Sequence, residues 1–286
     1  MRYPSGGIAF FDSGIGGLTT LATCVEYAKI HFLGDFNYFY YGDNFNAPYG
    51  NLPENQIFEY VDRAFAFFQE LRVRAVVIAC NTVTAVCADR LRKKYPFPII
   101  GLEPAILPSV KQGGETFVLA TRATCNSDKF KNLCEKAKTS YPNSKLSVFA
   151  CDGLAGEIEK GLGKSDKSYL DFLPNGKPDG VVLGCTHYIY IRKQIELFYE
   201  CKTYDGNEGV ARQLFNQLFQ IEKEDLEYEK IVFKNHFQLS IFQKNDFFLK
   251  TQPLVTTGKN MNKSSKIYFV GDAQVVNKTK YEQMFV

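Results

Sequence analysis

The chain has 286 residues, 45% of them hydrophobic and 15% aromatic, enough to bury a full core in one large or two small domains. A net charge of +3, with no stretch that interleaves dense Lys or Arg with aromatics, argues against nucleic acid as a partner. No apolar run approaches the ~18 residues of a membrane span, so no membrane partner is expected.

In chain order, strand and helix alternate. Ile8 to Phe11 reads as a strand, too short for the apolar core of a signal peptide, and a cytoplasmic location is expected. It leads into the turn Asp12-Ser13-Gly14-Ile15-Gly16-Gly17 and a helix from Leu18. Asn37 to Tyr41 is a second, aromatic strand, followed by a loop of turn formers from Gly42 to Gly50. From Pro53, Ile57, Tyr60, Val61, Ala64, Phe65 and Phe68 recur at helical spacing. A strand running into Cys80, a helix through Arg92 and a short strand at Ile99-Ile100 complete the first unit.

A second unit repeats the plan. Phe117 to Ala120 and Ser147 to Ala150 read as its first two strands, with Thr121 and Thr124 in the turn between. Gly180-Val181-Val182-Leu183-Gly184-Cys185-Thr186-His187 then parallels Ala75-Val76-Val77-Ile78-Ala79-Cys80-Asn81-Thr82. The order Asp12, loop, Cys80 is echoed by Thr121, Glu159 and Cys185 at similar offsets, which suggests an ancient duplication. After Asp205 only Glu208 to Phe219, read as helix, and Lys266 to Asp272, read as a strand and turn, carry a pattern; residues 222–264 carry none. The fold class expected is α/β, with largely parallel sheets flanked by helices.

Eight cysteines occur with no CxxC pair, so zinc ribbons and thioredoxin-type sites are not indicated, and no His or Cys set has metal-ligand spacing. Cys80 and Cys185 stand apart because each follows a strand-length apolar run and precedes small polar residues suited to a helix start. A thiol there faces unpaired N–H groups and the macrodipole, which favour the thiolate. Two such thiols across one pocket form the pair of bases that inversion of a C–H centre requires, one on each face. In an open α/β sheet ligands bind beyond the strand C-termini. The residues there are Asp12-Ser13, Pro48-Tyr49-Gly50, Cys80-Asn81-Thr82, Thr121 to Thr124 and Cys185-Thr186-His187, a lining of hydroxyls, amide and backbone N–H suited to carboxylates. Asp12 is either a fixed carboxylate beside a thiol or an N-cap. A dinucleotide loop at Asp12 to Gly17 is disfavoured by its spacing, a P-loop and a Gly-x-Ser-x-Gly elbow are absent, and nothing points to pyridoxal phosphate.

The motifs FDSGIGGL from Phe11, GDNFNAPYG from Gly42, ACNTVTA from Ala79, GLEPAI from Gly101, LATRATCNS from Leu119 and LGCTHY from Leu183 together resemble the glutamate racemases of the cofactor-independent aspartate/glutamate racemase superfamily. The resemblance spans the chain to about Asp205 and implies two pseudo-symmetric α/β domains with the active site in the cleft between them. The boundaries expected are 1–104 completed by 207–286, and 105–206. It implies interconversion of L- and D-glutamate for peptidoglycan with no cofactor and no metal. Cys80 would exchange the proton of D-glutamate and Cys185 that of L-glutamate, assisted by Asp12 and His187, with the family glutamate on Glu159 or its neighbour Glu157. Asp12, Ser13, Pro48, Tyr49, Gly50, Asn81, Thr82, Thr121, Thr124, Thr186 and His187 would hold the substrate, and the assembly expected is a homodimer. Aspartate racemase or another superfamily member is the alternative, since sequence constrains substrate length poorly; a non-catalytic dicarboxylate binder would leave both thiols unexplained. Two departures stand out: an insertion at about 222–264, and Tyr188-Ile189-Tyr190-Ile191 where the family carries a Pro-bearing phrase.

Overall fold

A computed structural model describes residues 6–161, 168–219, 254–256 and 266–270. The first unit runs β1 (Ile8–Asp12), α1 (Leu18–Ile30), β2 (Asn37–Gly42), α2 (Glu54–Glu70), β3 (Ala75–Ile78), α3 (Asn81–Lys94) and β4 (Ile99–Gly101). The second runs α4 (Ile106–Val110), β5 (Gly114–Ala120), α5 (Arg122–Asn126), α6 (Asp128–Ser140), β6 (Ser144–Ala150), α7 (Leu154–Gly161), β7 (Gly180–Gly184), α8 (Arg192–Tyr199) and β8 (Lys202–Tyr204). The chain then forms α9 (Asn207–Phe219), β9 (Leu254–Thr256) and β10 (Lys266–Val270).

The strands form two sheets, ordered β4-β3-β1-β2-β10-β9 and β6-β5-β7-β8. All pairings are parallel except β9 with β10. Within the first sheet the run β2-β1-β3-β4 has the same connectivity as β6-β5-β7-β8 in the second. The repeat read from the motifs is therefore present in the strand order, with β3 equivalent to β7. β10 joins the first sheet beside β2, returning the C-terminal segment to the first unit. The turn expected at Gly271-Asp272 lies outside the described residues, as does 222–264 apart from β9.

Strand alternation sorts each sheet's side chains onto two buried faces. Ile8 and Phe10 of β1 enter the core beneath α1 and α9, while Ala9 and Phe11 enter the one beneath α2 and α3. In the second sheet Phe117 and Leu119 face the α7 and α8 side, whereas Val118 and Val182 face α4 and α6. α2 buries Ile57, Val61, Ala64, Phe65 and Phe68 along one stripe, each such side chain contributing roughly 1.5–3 kcal/mol of transfer free energy for the larger residues. α3 ends in Arg92-Lys93-Lys94, which complements the negative end of its dipole. α6, started by Ser127 accepting from the Phe130 N–H at 3.2 Å, and the short β8 were not foreseen from sequence. Both are brief or weakly apolar, so their patterns are faint.

Candidate active site between the two sheets

β1 delivers Asp12 to its C-terminal end fully buried, and the carboxylate turns back so that Oδ2 accepts from the Gly14 N–H at 3.0 Å. The glycine turn beyond it lies directly against the second unit. A Cβ on Gly16 would collide with Thr186 Oγ1 and sit 2.9 Å from His187 Nδ1; one on Gly17 would sit 2.7 Å from Asp12 Cβ. Glycine is required here for close approach. Two tyrosines hold the turn: Tyr40 donates to the Gly14 carbonyl at 2.9 Å, and Tyr190 of the second unit donates to the Ile15 carbonyl at 3.0 Å.

The equivalent strands β3 and β7 carry the two thiols to one cleft. Cys80 is the N-cap residue of α3, and its Sγ lies 3.7 Å from Ser13 Oγ. Cys185 Sγ lies 3.9 Å from His187 Nδ1. His187 Nε2 is 2.8 Å from Glu159 Oε2, so a hydrogen bond to the carboxylate leaves Nδ1 facing the thiol. Thr186 Oγ1 donates to Asp12 Oδ1 at 3.4 Å, which couples the two units. Of the two glutamates considered, Glu159 is the one that reaches His187. Glu157 pairs with Lys160 instead. Glu159 lies on α7, not in the loop that would echo Pro48 to Gly50.

Two local expectations need correction. Cys185 opens a 3-10 helix, Thr186–Ile191, not an α-helix, because the chain turns again into α8 within six residues. The helix N-terminus also does not dominate at Cys80. Burial pushes that thiol up to about 12, Asp12's charge adds to the rise, and the Val83 N–H opposes it only in part. Asp12 is likewise raised, by burial first, with His187 acting against the rise. For His187 burial pulls downward, yet the hydrogen bonds that its ring nitrogens make to Cys185 and Glu159 outweigh it and hold the ring well above its ordinary range. The site is thus asymmetric, with an acid-form thiol at Cys80 and an imidazole at Cys185 able to receive or return a proton.

The cleft is lined by Ser13, Pro48, Tyr49, Gly50, Asn81, Thr82, Thr121, Thr186 and His187 together with both thiols. Asp12, Thr124 and Glu159, expected among the working groups, stand behind this wall, hydrogen-bonded to Thr186, Thr121 and His187 respectively. Thr82, Thr121 and Thr124 form a triangle of hydroxyls, at 2.9 Å for Thr82 to Thr121 and for Thr121 to Thr124, that bridges α3 and α5. Tyr49 donates its hydroxyl to Asp43, so its ring and backbone are what it presents to the cleft. The Asn81 Oδ1 is buried without a hydrogen-bond partner, an acceptor suited to an ammonium group.

The sequence reading spanned Arg122 within Thr121 to Thr124 without giving it a role, and missed Asn51, Cys151, Asp152, Gly153 and Ala155, which also line the cleft. The signal for them was the repeat: Cys151 to Gly153 follow β6 as the Gly42 to Gly50 loop follows β2. Among the described residues no group of three or more His, Cys, Asp or Glu is placed to hold a metal ion.

Two parallel-sheet units that present matched thiols to one polar cleft define an amino-acid racemase class of site. A family profile described as Asp/Glu/hydantoin racemase matches residues 17–214. The chain belongs to that family, among its glutamate racemases. The glutamate racemase of Leptospira interrogans is 38% identical over 219 residues, 74% of this chain and 82% of that one. The Escherichia coli glutamate racemase solved with L-glutamate and the activator UDP-MurNAc-Ala is 29% identical, with a TM-score of 0.64 over 75% of this chain and 83% of that one. A Francisella tularensis glutamate racemase solved with D-glutamate is 27% identical, with a TM-score of 0.61 over 76% and 82%.

Proposed function

We propose that Cys80 and Cys185 carry out the glutamate racemisation that family membership assigns to this chain, without a cofactor. The observation that carries the reading is the equivalence of β3 and β7, whose ends present one thiol each to the same cleft. In the L-to-D direction Cys185, its proton passed to His187, removes the α-proton, forming S–H as the C–H bond breaks. The Cys80 thiol then delivers its own proton to the opposite face of the carbanion, leaving D-glutamate and a thiolate. In the reverse direction the roles exchange. Asp12, through Ser13 and the turn that positions it, serves Cys80; Glu159 orients His187. Ser13, Asn81, Thr82, Thr121 and Thr186, with the Pro48 to Gly50 backbone, hold the ammonium and two carboxylates.

The same proposal includes the division 1–104 with 207–286 against 105–206, supported by α9 packing on α1 and by β10 pairing with β2. It also includes supply of D-glutamate to peptidoglycan, a homodimeric assembly and a cytoplasmic setting. The eight unpaired cysteines support a reducing compartment, and no helix among the described residues is long and apolar enough to cross a membrane.

The test is formation of D-glutamate from L-glutamate by the purified chain without added cofactor, followed by circular dichroism, with solvent deuterium appearing at the α-carbon. Cys80→Ser and Cys185→Ser should each lower racemisation by orders of magnitude while the far-ultraviolet spectrum persists. Near-normal racemisation by either variant in both directions would overturn the two-thiol reading.

A further inference from the structure

One charge pair at the cleft has no part in the proton transfers. Arg122 begins α5 and Asp152 lies in the turn between β6 and α7, and both line the cleft. They form a two-pronged ion pair: Nε donates to Oδ1 at 3.2 Å, and Nη2 donates to Oδ2. Their side chains stay 59% and 40% exposed, so the pair stands at the solvent edge of the cleft. An ion pair this exposed adds little to folding stability.

Arg122 is also the permanent cation among the lining residues; the rest are hydroxyls, thiols, two amides, small or aromatic groups, an imidazole and Asp152. A dicarboxylic amino acid enters with two negative charges and one positive, a net charge of −1 at neutral pH. The buried wall can satisfy its oxygens with neutral donors, yet apart from His187 and Arg122 none of the lining carries a charge that offsets the excess. The fork that Asp152 occupies is the one a substrate carboxylate would use, since the two functional groups are the same.

We propose that Arg122 is a substrate-binding and specificity-determining residue, which captures a carboxylate of the entering dicarboxylic amino acid by exchange with Asp152. Asp152 is then an internal competitor. It holds the guanidinium aimed at the cleft edge while the site is empty and takes it back as product leaves. The inference rests on the racemase reading above for its substrate class, but not for its geometry.

The exchange predicts effects of opposite sign at the two residues. Arg122→Gln should raise KM for both enantiomers about tenfold with kcat little changed, as expected for losing one charge-assisted contact at an exposed site. It should also flatten the fall of kcat/KM with added salt. Asp152→Asn, which removes the competitor, should lower KM. Arg122→Lys should restore the salt dependence and part of the affinity. L-glutamate binding measured calorimetrically on the same proteins, with circular dichroism to check folding, separates binding from turnover. Arg122→Gln binding glutamate as tightly as the parent, or Asp152→Asn weakening binding as much as Arg122→Gln, would overturn the proposal. A parent chain that binds glutamate through Arg122 but does not racemise it would overturn the two-thiol reading and leave the arginine assignment standing.

Discussion

His187 Nε2 and Glu159 Oε2 lie 2.8 Å apart with both side chains buried, and the other ring nitrogen faces Cys185 at 3.9 Å. On the two-thiol mechanism proposed above, this line of three groups gives the second thiol a proton acceptor whose own charge is balanced from behind. Cys80 has no imidazole beside it among the described residues; its polar surroundings include Ser13 Oγ at 3.7 Å, the Val83 N–H and the Asp12 carboxylate.

Replacing Glu159 by Gln keeps the shape and removes the charge. Because the Glu159 hydrogen bond is one of the contacts that hold His187 above its ordinary range, the ring should lose its proton at lower pH in the variant. The kcat/KM limb assigned to His187 should move to lower pH, with a loss of at least about tenfold, or ~1.4 kcal/mol of transition-state stabilisation. The pH profile of L-glutamate racemisation measures this. An unmoved limb would remove Glu159 from the line.

Asp12→Asn and His187→Asn should mirror each other. An enzyme cannot shift the equilibrium, so kcat/KM falls equally in both directions for either variant, by ~10²–10⁴-fold if each helper acts as a positioned acid–base group. The primary deuterium isotope effect should distinguish them. With α-deuterated substrates it should grow for D-glutamate when Asp12 is lost and for L-glutamate when His187 is lost, since each helper serves one thiol. Equal isotope effects throughout would discard the helper assignments while leaving the thiols in place.

Tyr190→Phe removes a hydrogen bond that crosses between the units, leaving the Ile15 carbonyl without that donor. Urea titration should show a loss of about 1 kcal/mol. Gly16→Ala should cost more in activity than in stability, because its new methyl group meets Thr186 and His187 and not the core. Overpacking typically costs about 1–3 kcal/mol, and here it displaces the Cys185 partner directly.

Alkaline pH should destabilise the fold. Burial pushes Cys80, Cys87 and Cys151 each up to about 12, from 9.0 for an ordinary thiol. A raised folded value means the folded chain keeps protons that the unfolded chain releases. The stabilisation is therefore complete below about pH 9 and is lost as pH climbs towards 12, at up to about 1.4 kcal/mol per pH unit for each thiol. Denaturant midpoints between pH 7 and 11 should be flat at first and then fall. A flat profile up to pH 11 would show that the thiols ionise in the folded state.

Much of this architecture can be read from local signals. Ile8 to Phe11, Asn37 to Tyr41, Phe117 to Ala120 and both thiol strands are short apolar runs ended by Asp, Gly, Thr or Cys, and the structure places strands there with ends shifted by a few residues. The extra residues of β5, Gly114 to Thr116, and of β6, Ser144 to Leu146, are polar or partly exposed, so hydrophobic pattern alone does not reveal them. The pairing of Arg122 with Asp152 was invisible for another reason: separated by thirty positions, the two look in sequence like ordinary surface charges, and only the parallel pairing of β5 with β6 sets their loops side by side.

The sequence by itself determined the repeat, the positions of Cys80 and Cys185 at matched strand ends and the family, because strand periodicity and turn chemistry are local properties of the chain. Only the tertiary structure decided which groups stand together. It set Glu159 rather than Glu157 behind His187, put Asp12 and Thr124 behind the cleft wall instead of in it, and brought Tyr190 across to the Ile15 carbonyl. It also reversed the expected balance at Cys80. A helix N-terminus is legible in sequence, but the desolvation that outweighs it depends on how much of both units closes over the thiol, and that is a property of packing between segments far apart in the chain.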